Sequence, residues 1–173
     1  MPTIRLLKPT DIYPIAAAFA ELGWDKPASQ YEKYLSEQEA GQRVVLVAHY
    51  GVQNLPILEF AGYVTICWQS DYPPFREQNI PEIVDFNVLP KFRRQGIGAA
   101  LMGAAESRVA AISPVVGLGV GVTADYGAAQ RMYAKRGYIP DGRGLHSRGQ
   151  PVQYGQSAPV DDDLVLYLTK TFS

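Results

Sequence analysis

The chain has 173 residues, the size of one domain with one core. Hydrophobic residues make up 47%, which excludes wholesale disorder, and a formal net charge of -1 excludes a nucleic-acid binder driven by bulk charge. Cys67 is the only cysteine, so no internal disulfide can form, and its apolar strand-like run predicts a buried, inert thiol. Neither a signal peptide nor an apolar run of 18 residues is readable, so a soluble cytoplasmic protein without a membrane partner is expected.

Thr3 to Leu7 alternates and reads as a strand. Thr10 or Asp11 can cap a helix with Pro14 in its first turn, Ile15, Ala18, Phe19 and Leu22 on one face, and Gly23 as its stop. Ser29-Gln30-Tyr31-Glu32 reads as a capping box for a second helix, with Tyr31, Tyr34 and Leu35 on one face and Gly41 at its end. These two helices suit one wall of a substrate site or plain packing on a sheet edge. Arg43 to Tyr50 and Ile57 to Trp68 read as a hairpin joined by GVQNLP. His49, at the end of the first of these strands, reads as structural. Gln69 to Ile80 reads as an ordered polar loop, a common place for substrate contacts.

The stretch from Glu82 to Gly103 organises the chain. Ile83 to Leu89 reads as a strand with Val84, Phe86 and Val88 on one face and Asp85 and Asn87 on the other; Pro90 ends it. Arg93-Arg94-Gln95-Gly96-Ile97-Gly98 then runs into Ala99, Ala100 and Leu101. Glycines at a strand-to-helix junction admit a ligand close to the backbone, and the unpaired amides and positive dipole of the first helical turn make an anion site. Ile97, Leu101, Ala105, Val109 and Ile112 form the core face of that helix, and Pro114 breaks it.

Val115 to Val122 alternates strictly, with Gly117, Gly119 and Gly121 on one face. Three glycines on one face predict a close approach, by a packed helix or by a ligand arm. Asp125 can cap a helix from Gly127 to Arg136, stopped by Gly137, with Ala129 and Tyr133 on one face. Pro140 to Pro159 reads as a flexible loop or as a short strand pair around His146 to Tyr154. Asp161, Asp162 and Asp163 precede a last strand, Leu164 to Thr169.

Two motifs resemble those of the GNAT superfamily. Its acyl-CoA signature is Gln or Arg, two free positions, Gly, one free position, then Gly or Ala; Arg93, Gly96 and Gly98 fill the fixed places after a strand and a proline. Its later motif is matched by Ala129, Tyr133, Gly137 and Tyr138, with Tyr126 standing where the family usually has asparagine. The element order also matches over essentially the whole chain. The resemblance implies a single GNAT domain over residues 1–173, of class α/β (α+β), with a mixed, mostly antiparallel central sheet flanked by helices on both faces. The periodicities by themselves show an α+β or α/β domain.

The implied activity is N-acetyltransfer from acetyl-CoA to an amine by direct attack. A non-catalytic acyl-CoA or nucleotide-binding sensor on the same fold is the alternative. The resemblance implies that Arg93, Arg94, Gln95, Gly96, Ile97, Gly98 and Ala99 hold the pyrophosphate, and that Phe86, Asn87 and Val88 pair with the pantetheine arm. At pH 7 only about one alkyl amine in 2,500 is neutral, so a nearby carboxylate can take its proton, directly or through water. Glu82, eleven residues before Arg93, stands where several family members place a catalytic glutamate, and Asp85 is the other candidate. The motif tyrosine, Tyr133, is implied as the acid that protonates the departing thiolate. The acceptor is a small-molecule or peptide amine, and a homodimer stays open. No Ser/His/Asp set and no metal motif is readable.

Overall fold

The computed structural model describes residues 2–51 and 58–172. The expected GVQNLP connection lies largely at 52–57, outside the described residues. The chain divides into two compact units, residues 1–68 with 84–108 and residues 69–83 with 109–173.

The first unit begins with β1 (Thr3–Leu6), a short 3₁₀ turn (Pro9–Asp11) and α1 (Ile12–Ala20). Asp11 accepts the Lys8 amide at 2.8 Å and a two-pronged bond from Arg5 at 2.6 and 2.7 Å, so it closes the 3₁₀ turn rather than capping α1 by side chain. His49 completes this cluster, with Nε2 3.8 Å from Asp11, which gives it the structural role expected. Helix α1 buries Ile12, Ile15 and Phe19, while Leu22 lies past its end and is exposed. Helix α2 (Ala28–Glu39) starts one residue before the expected capping box: Pro27 is its N-cap and makes no side-chain cap bond. Proline's fixed φ sets the entry there, so Ser29 falls inside the first turn.

Strands β2 (Arg43–Gly51) and β3 (Leu58–Cys67) pair antiparallel, from Arg43 opposite Cys67 to Gly51 opposite Leu58, and β1 pairs antiparallel with β2. Cys67, at the end of β3, is half-buried rather than buried. Beside β3 runs the Val84–Val88 part of β4 (Glu82–Val88), with the Leu89 amide on the Ala61 carbonyl at 2.9 Å. Phe19 of α1 and Tyr31 of α2 set their rings edge-on against Tyr63 of β3, at 5.8 and 5.6 Å between centroids. Helix α4 (Ile97–Ala110) buries Ile97, Leu101, Ala105 and Val109. It ends before Ile112, which is exposed instead of continuing the core face.

The second unit opens on the expected loop, which contains a short helix, α3 (Pro73–Glu77). Two prolines at its start lack only amides that a first turn leaves unpaired. Glu82 and Ile83 of β4 pair in parallel with Gly117 and Leu118 of β5 (Val115–Gly121). Strand β8 (Leu164–Thr171) pairs antiparallel with β5 and with β6 (Ile139–Ser147), and β6 forms a small hairpin with β7 (Gln150–Pro151). The strand-pair reading of the Gly- and Arg-rich segment is therefore the one realised. Helix α5 (Gly127–Lys135) follows a 3₁₀ turn at Ala124–Tyr126. Its N-cap is Tyr126, and Asp125 bonds the Thr123 hydroxyl instead of capping the helix.

The close approach predicted for the glycine face of β5 comes from three aromatic rings. The ring of Phe75 lies over Gly117, that of Tyr167 over Gly119 and that of Tyr126 over Gly121. A Cβ at Gly117 or Gly121 would fall inside contact distance of the ring, whereas at Gly119 the nearest ring atom would stand at 3.2 Å. Gly117→Ala and Gly121→Ala should each cost about 1–3 kcal/mol, and Gly119→Ala less, because overpacking scales with how far the neighbour must move. Urea unfolding of the three variants checks this order; three equal losses would contradict it.

Candidate active site

In the first unit, Pro90–Phe92 forms a 3₁₀ turn whose Phe92 is buried and packs against Tyr50 at 5.9 Å between centroids. The chain then bends through two left-handed residues, Arg94 at φ 61° and Gly96 at φ 78°. Gln95 ties back to the Lys91 carbonyl at 3.0 Å, and the Arg93 guanidinium donates to the Val88 carbonyl at 3.3 Å. Ala100 gives its amide to the Gly96 carbonyl at 3.0 Å and so begins the α4 ladder. The amides of Ile97, Gly98 and Ala99 precede that ladder, at the positive end of a fourteen-residue helix. Arg93, Arg94, Gln95 and Gly96 are exposed, and buried Ile97 pins the helix start. A Cβ on Gly98 would stand 3.2 Å from the Phe86 ring and 3.7 Å from Val88, so the glycine lets α4 sit against β4. The structure thus brings Gly98 together with Phe86 and Val88.

Asp85 meets Asn87 on one face of β4, as the alternation predicts, but its backbone is irregular. It has φ 48°, a left-handed residue inside β4. Its carboxylate accepts from Lys26 Nζ at 2.7 Å, Gln30 at 2.9 Å, Tyr34 at 2.8 Å, Tyr63 at 2.6 Å and Asn87 at 2.8 Å. Burial works to raise its pKa, but the Lys26 ammonium and the phenol bonds outweigh burial and hold it below its ordinary value. A carboxylate so held is a poor proton acceptor. Burial first, then the Asp85 charge, pushes the Tyr34 and Tyr63 phenols up, so both stay donors.

The lowered pKa has a stability consequence. The contribution of Asp85 is fully present above its ordinary 3.8 and is lost as pH falls below that value. Asp85→Asn should remove about 3 kcal/mol at neutral pH and flatten the loss of stability below about pH 4. Denaturant titrations at several pH values check this; parallel acid limbs in variant and wild type would contradict it.

In the second unit, Glu82 is buried at 7% exposure, not displayed at a strand mouth. Its strand partner is Gly117, and the Pro81 carbonyl beside it takes the Gly117 amide at 2.9 Å. The Ser70 hydroxyl donates to Glu82 at 2.5 Å and accepts the Tyr72 amide at 2.9 Å. Tyr72 stacks flat on Tyr167, 3.6 Å between centroids, and donates its hydroxyl to Asp141 at 2.9 Å. His146 meets both rings edge-on. The Tyr167 phenol is pushed up to about 12 by burial first and then by the charges of Glu82, Asp141 and Asp71. This largely buried cluster is therefore aromatic with a negative field. Of the other acidic groups, Asp161 and Asp163 pair with Arg148, and Asp162 accepts the Tyr126 hydroxyl at 2.9 Å.

Tyr133 is buried on α5, its ring 5.7 Å from that of Tyr138. Burial raises its pKa, with a smaller contribution from Tyr126, so it is a weaker acid than an ordinary phenol. Tyr126, in the asparagine position of the motif, is committed to Gly121 and Asp162.

Sequence reasoning missed the Asp85 partners, and it missed Ser70, Tyr72 and Tyr167. Only the polar loop carrying Ser70 and Tyr72 gave a signal. Among the described residues no helix is long and apolar enough to cross a membrane, and no group of three or more His, Cys, Asp or Glu could hold a metal ion.

Residues 10–138 match the model of the Acetyltransferase (GNAT) family. No curated protein gives a significant sequence match. Solved structures with the same fold include Arabidopsis thaliana NAA60 in complex with acetyl-CoA, 16% identical, with TM-score 0.70 over 99% of this chain and 98% of that one. The ribosomal-protein-S18-alanine N-acetyltransferase of Escherichia coli is 16% identical, with TM-score 0.67 over 100% and 95%. A spermidine N-acetyltransferase SpeG chimera from Vibrio cholerae and hSSAT is 15% identical, with TM-score 0.68 over 98% and 95%.

Proposed function

The chain belongs to the acetyltransferase (GNAT) family, and on that premise we propose that it transfers an acetyl group from acetyl-CoA to an amine. The observation that carries this is the loop from Arg93 to Ala99, left-handed at Arg94 and Gly96, which runs into the start of α4 against Phe86 and Val88. Acetyl-CoA supplies the acetyl group as a thioester. The amides of Ile97, Gly98 and Ala99, with Arg93 and Arg94, bind the pyrophosphate, and the main chain of Phe86–Val88 pairs with the pantetheine arm.

Glu82 takes the proton of the acceptor ammonium, directly or through water. The nitrogen then forms its bond to the acetyl carbon while the carbon–sulfur bond breaks. Asp85 does not serve as the base, because Lys26 and its other donors hold it ionised. Tyr133 donates a hydrogen bond to the departing thiolate. An ordinary thiol has a pKa of about 8.5, so a phenol raised by burial stabilises the sulfur without surrendering its proton fully. The first proton leaves on Glu82 and passes to solvent; the second, lost from nitrogen as the amide forms, ends on the departing sulfur through solvent.

A cationic amine suits the stacked Tyr72 and Tyr167 with the charges of Glu82, Asp71 and Asp141. Two of the similar enzymes named above carry different acceptors in their names, spermidine and an alanine of ribosomal protein S18.

Calorimetric titration with acetyl-CoA, with NADH and ATP as controls, tests the assignment, followed by thiol release with a panel of amines. Saturable binding of acetyl-CoA alone and amine-dependent release are expected. Binding without release from any amine would favour a sensor.

A further inference from the structure

A buried carboxylate holds on to its proton unless its charged form receives hydrogen bonds or faces a positive charge. Glu82 is buried at the first position of β4, opposite Gly117, which contributes no side chain. A donor reaches it from the loop before α3. The Ser70 hydroxyl, 1% exposed, donates to Glu82 Oε2 at 2.5 Å, and the same Oγ accepts the Tyr72 amide at 2.9 Å. An amide N–H can only donate, so it occupies a lone pair of Oγ and leaves the single hydroxyl proton for the carboxylate. The two bonds run in one direction and polarise each other. Tyr72 is anchored in turn: its ring stacks on Tyr167 and meets Phe75 edge-on at 4.8 Å, and its hydroxyl donates to Asp141. The other titratable groups gathered here are Tyr167 of β8, which feels the charges of Glu82, Asp141 and Asp71, and His146 of β6, edge-on to Tyr167.

We infer that Ser70 is a positioning residue for the acetyl transfer: its hydroxyl, oriented by the Tyr72 amide, holds the Glu82 carboxylate ionised and in place to take the proton of the acceptor. This rests on the role of Glu82 proposed above. Ser70 acts through Glu82 and not on the substrate.

The test is a pH profile. The acid limb of kcat/KM for the amine, at saturating acetyl-CoA, reports the base. Ser70→Ala removes the donor and should move that limb about one pH unit toward alkaline, because losing a hydrogen bond to the charged form favours the protonated one. Below both midpoints the variant should run about tenfold slower than wild type, and above them within about threefold of it. Calorimetric affinity for acetyl-CoA should not change. A lower melting temperature with the limb unmoved would make Ser70 merely structural and overturn the inference. In a Glu82→Gln background, adding Ser70→Ala should cost no further rate; an additive loss overturns the inference, since the two residues would then act separately. If Ser70→Ala does not fold, Ser70→Cys keeps the shape and donates only weakly. It should move the limb the same way, and an unmoved limb overturns the inference. Wild-type turnover in Glu82→Gln alone overturns the proposed base together with this inference. A slowed Glu82→Gln, with the limb unmoved in the serine variants, overturns this inference alone.

Discussion

Gly98→Trp abolishes acetyl-CoA binding, with affinity falling at least about 100-fold, because the new side chain has no harmless place to go. A Cβ at this position points at Phe86, 3.2 Å away, and Val88, 3.7 Å away. An indole that follows this direction must push both residues aside, and they belong to the segment assigned to the pantetheine arm. An indole that swings away covers the amides of Ile97 to Ala99 at the start of α4. Either course removes part of the proposed acyl-CoA site. Gly98→Ala is the control: a shift of a few tenths of an ångström in Phe86 accommodates it, and the loss should stay under about tenfold. Calorimetry with acetyl-CoA, on proteins shown by circular dichroism to be folded, decides the matter. Wild-type affinity in the tryptophan variant would remove the loop from the site.

Glu82→Gln lowers kcat by about 10²–10³ and leaves KM for acetyl-CoA near its wild-type value, since general-base assistance is worth that much and the amide preserves shape. Glutamine can still accept the Ser70 hydrogen bond that the carboxylate receives, so the fold around β4 and α3 should hold. It cannot take the ammonium proton. The surviving rate should therefore rise with pH as free amine accumulates, without the limb that titrates with a carboxylate. Steady-state rates from acid to alkaline pH check both points. A kcat within about threefold of wild type would withdraw Glu82 from the chemistry.

The element order and the glycine loop were legible because their signals are local. Pro90, Gly96 and Gly98 each fix the chain within a residue or two of where they stand, and the Ile97–Leu101–Ala105–Val109 stripe marks the helix they introduce. Local signals also misled. The capping box at Ser29 competed with Pro27 and lost, and the Asp125 cap lost to a 3₁₀ turn ending at Tyr126. Helix α3 went unread because a five-residue Pro-Pro-Phe-Arg-Glu segment carries no helical period. The Asp85 cluster was out of reach for a different reason. Lys26 is 59 positions away in the chain and Tyr63 is 22, and alternation alone gave Asp85 a face but no partners. The same distance hid what lies on β5. Its glycines announced a close neighbour, yet that neighbour proved to be three rings from three separate segments.

Those rings make β5 a strand whose contour on that face is borrowed. Gly117, Gly119 and Gly121 contribute no side chain, so the relief of the surface is set by Phe75, Tyr167 and Tyr126. Phe75 of α3 and Tyr167 of β8 meet edge to face at 5.6 Å and are seated together, while Tyr126 is held by the turn that Asp162 fastens through its hydroxyl. An exchange at Tyr126 would reshape its own patch, and one at Phe75 or Tyr167 would reach the other ring, with the strand's hydrogen bonds to β8 left in place. A scaffold of this kind can drift in what it accommodates while its backbone stays fixed: the glycines are the constant part, and the rings above them are the replaceable lining.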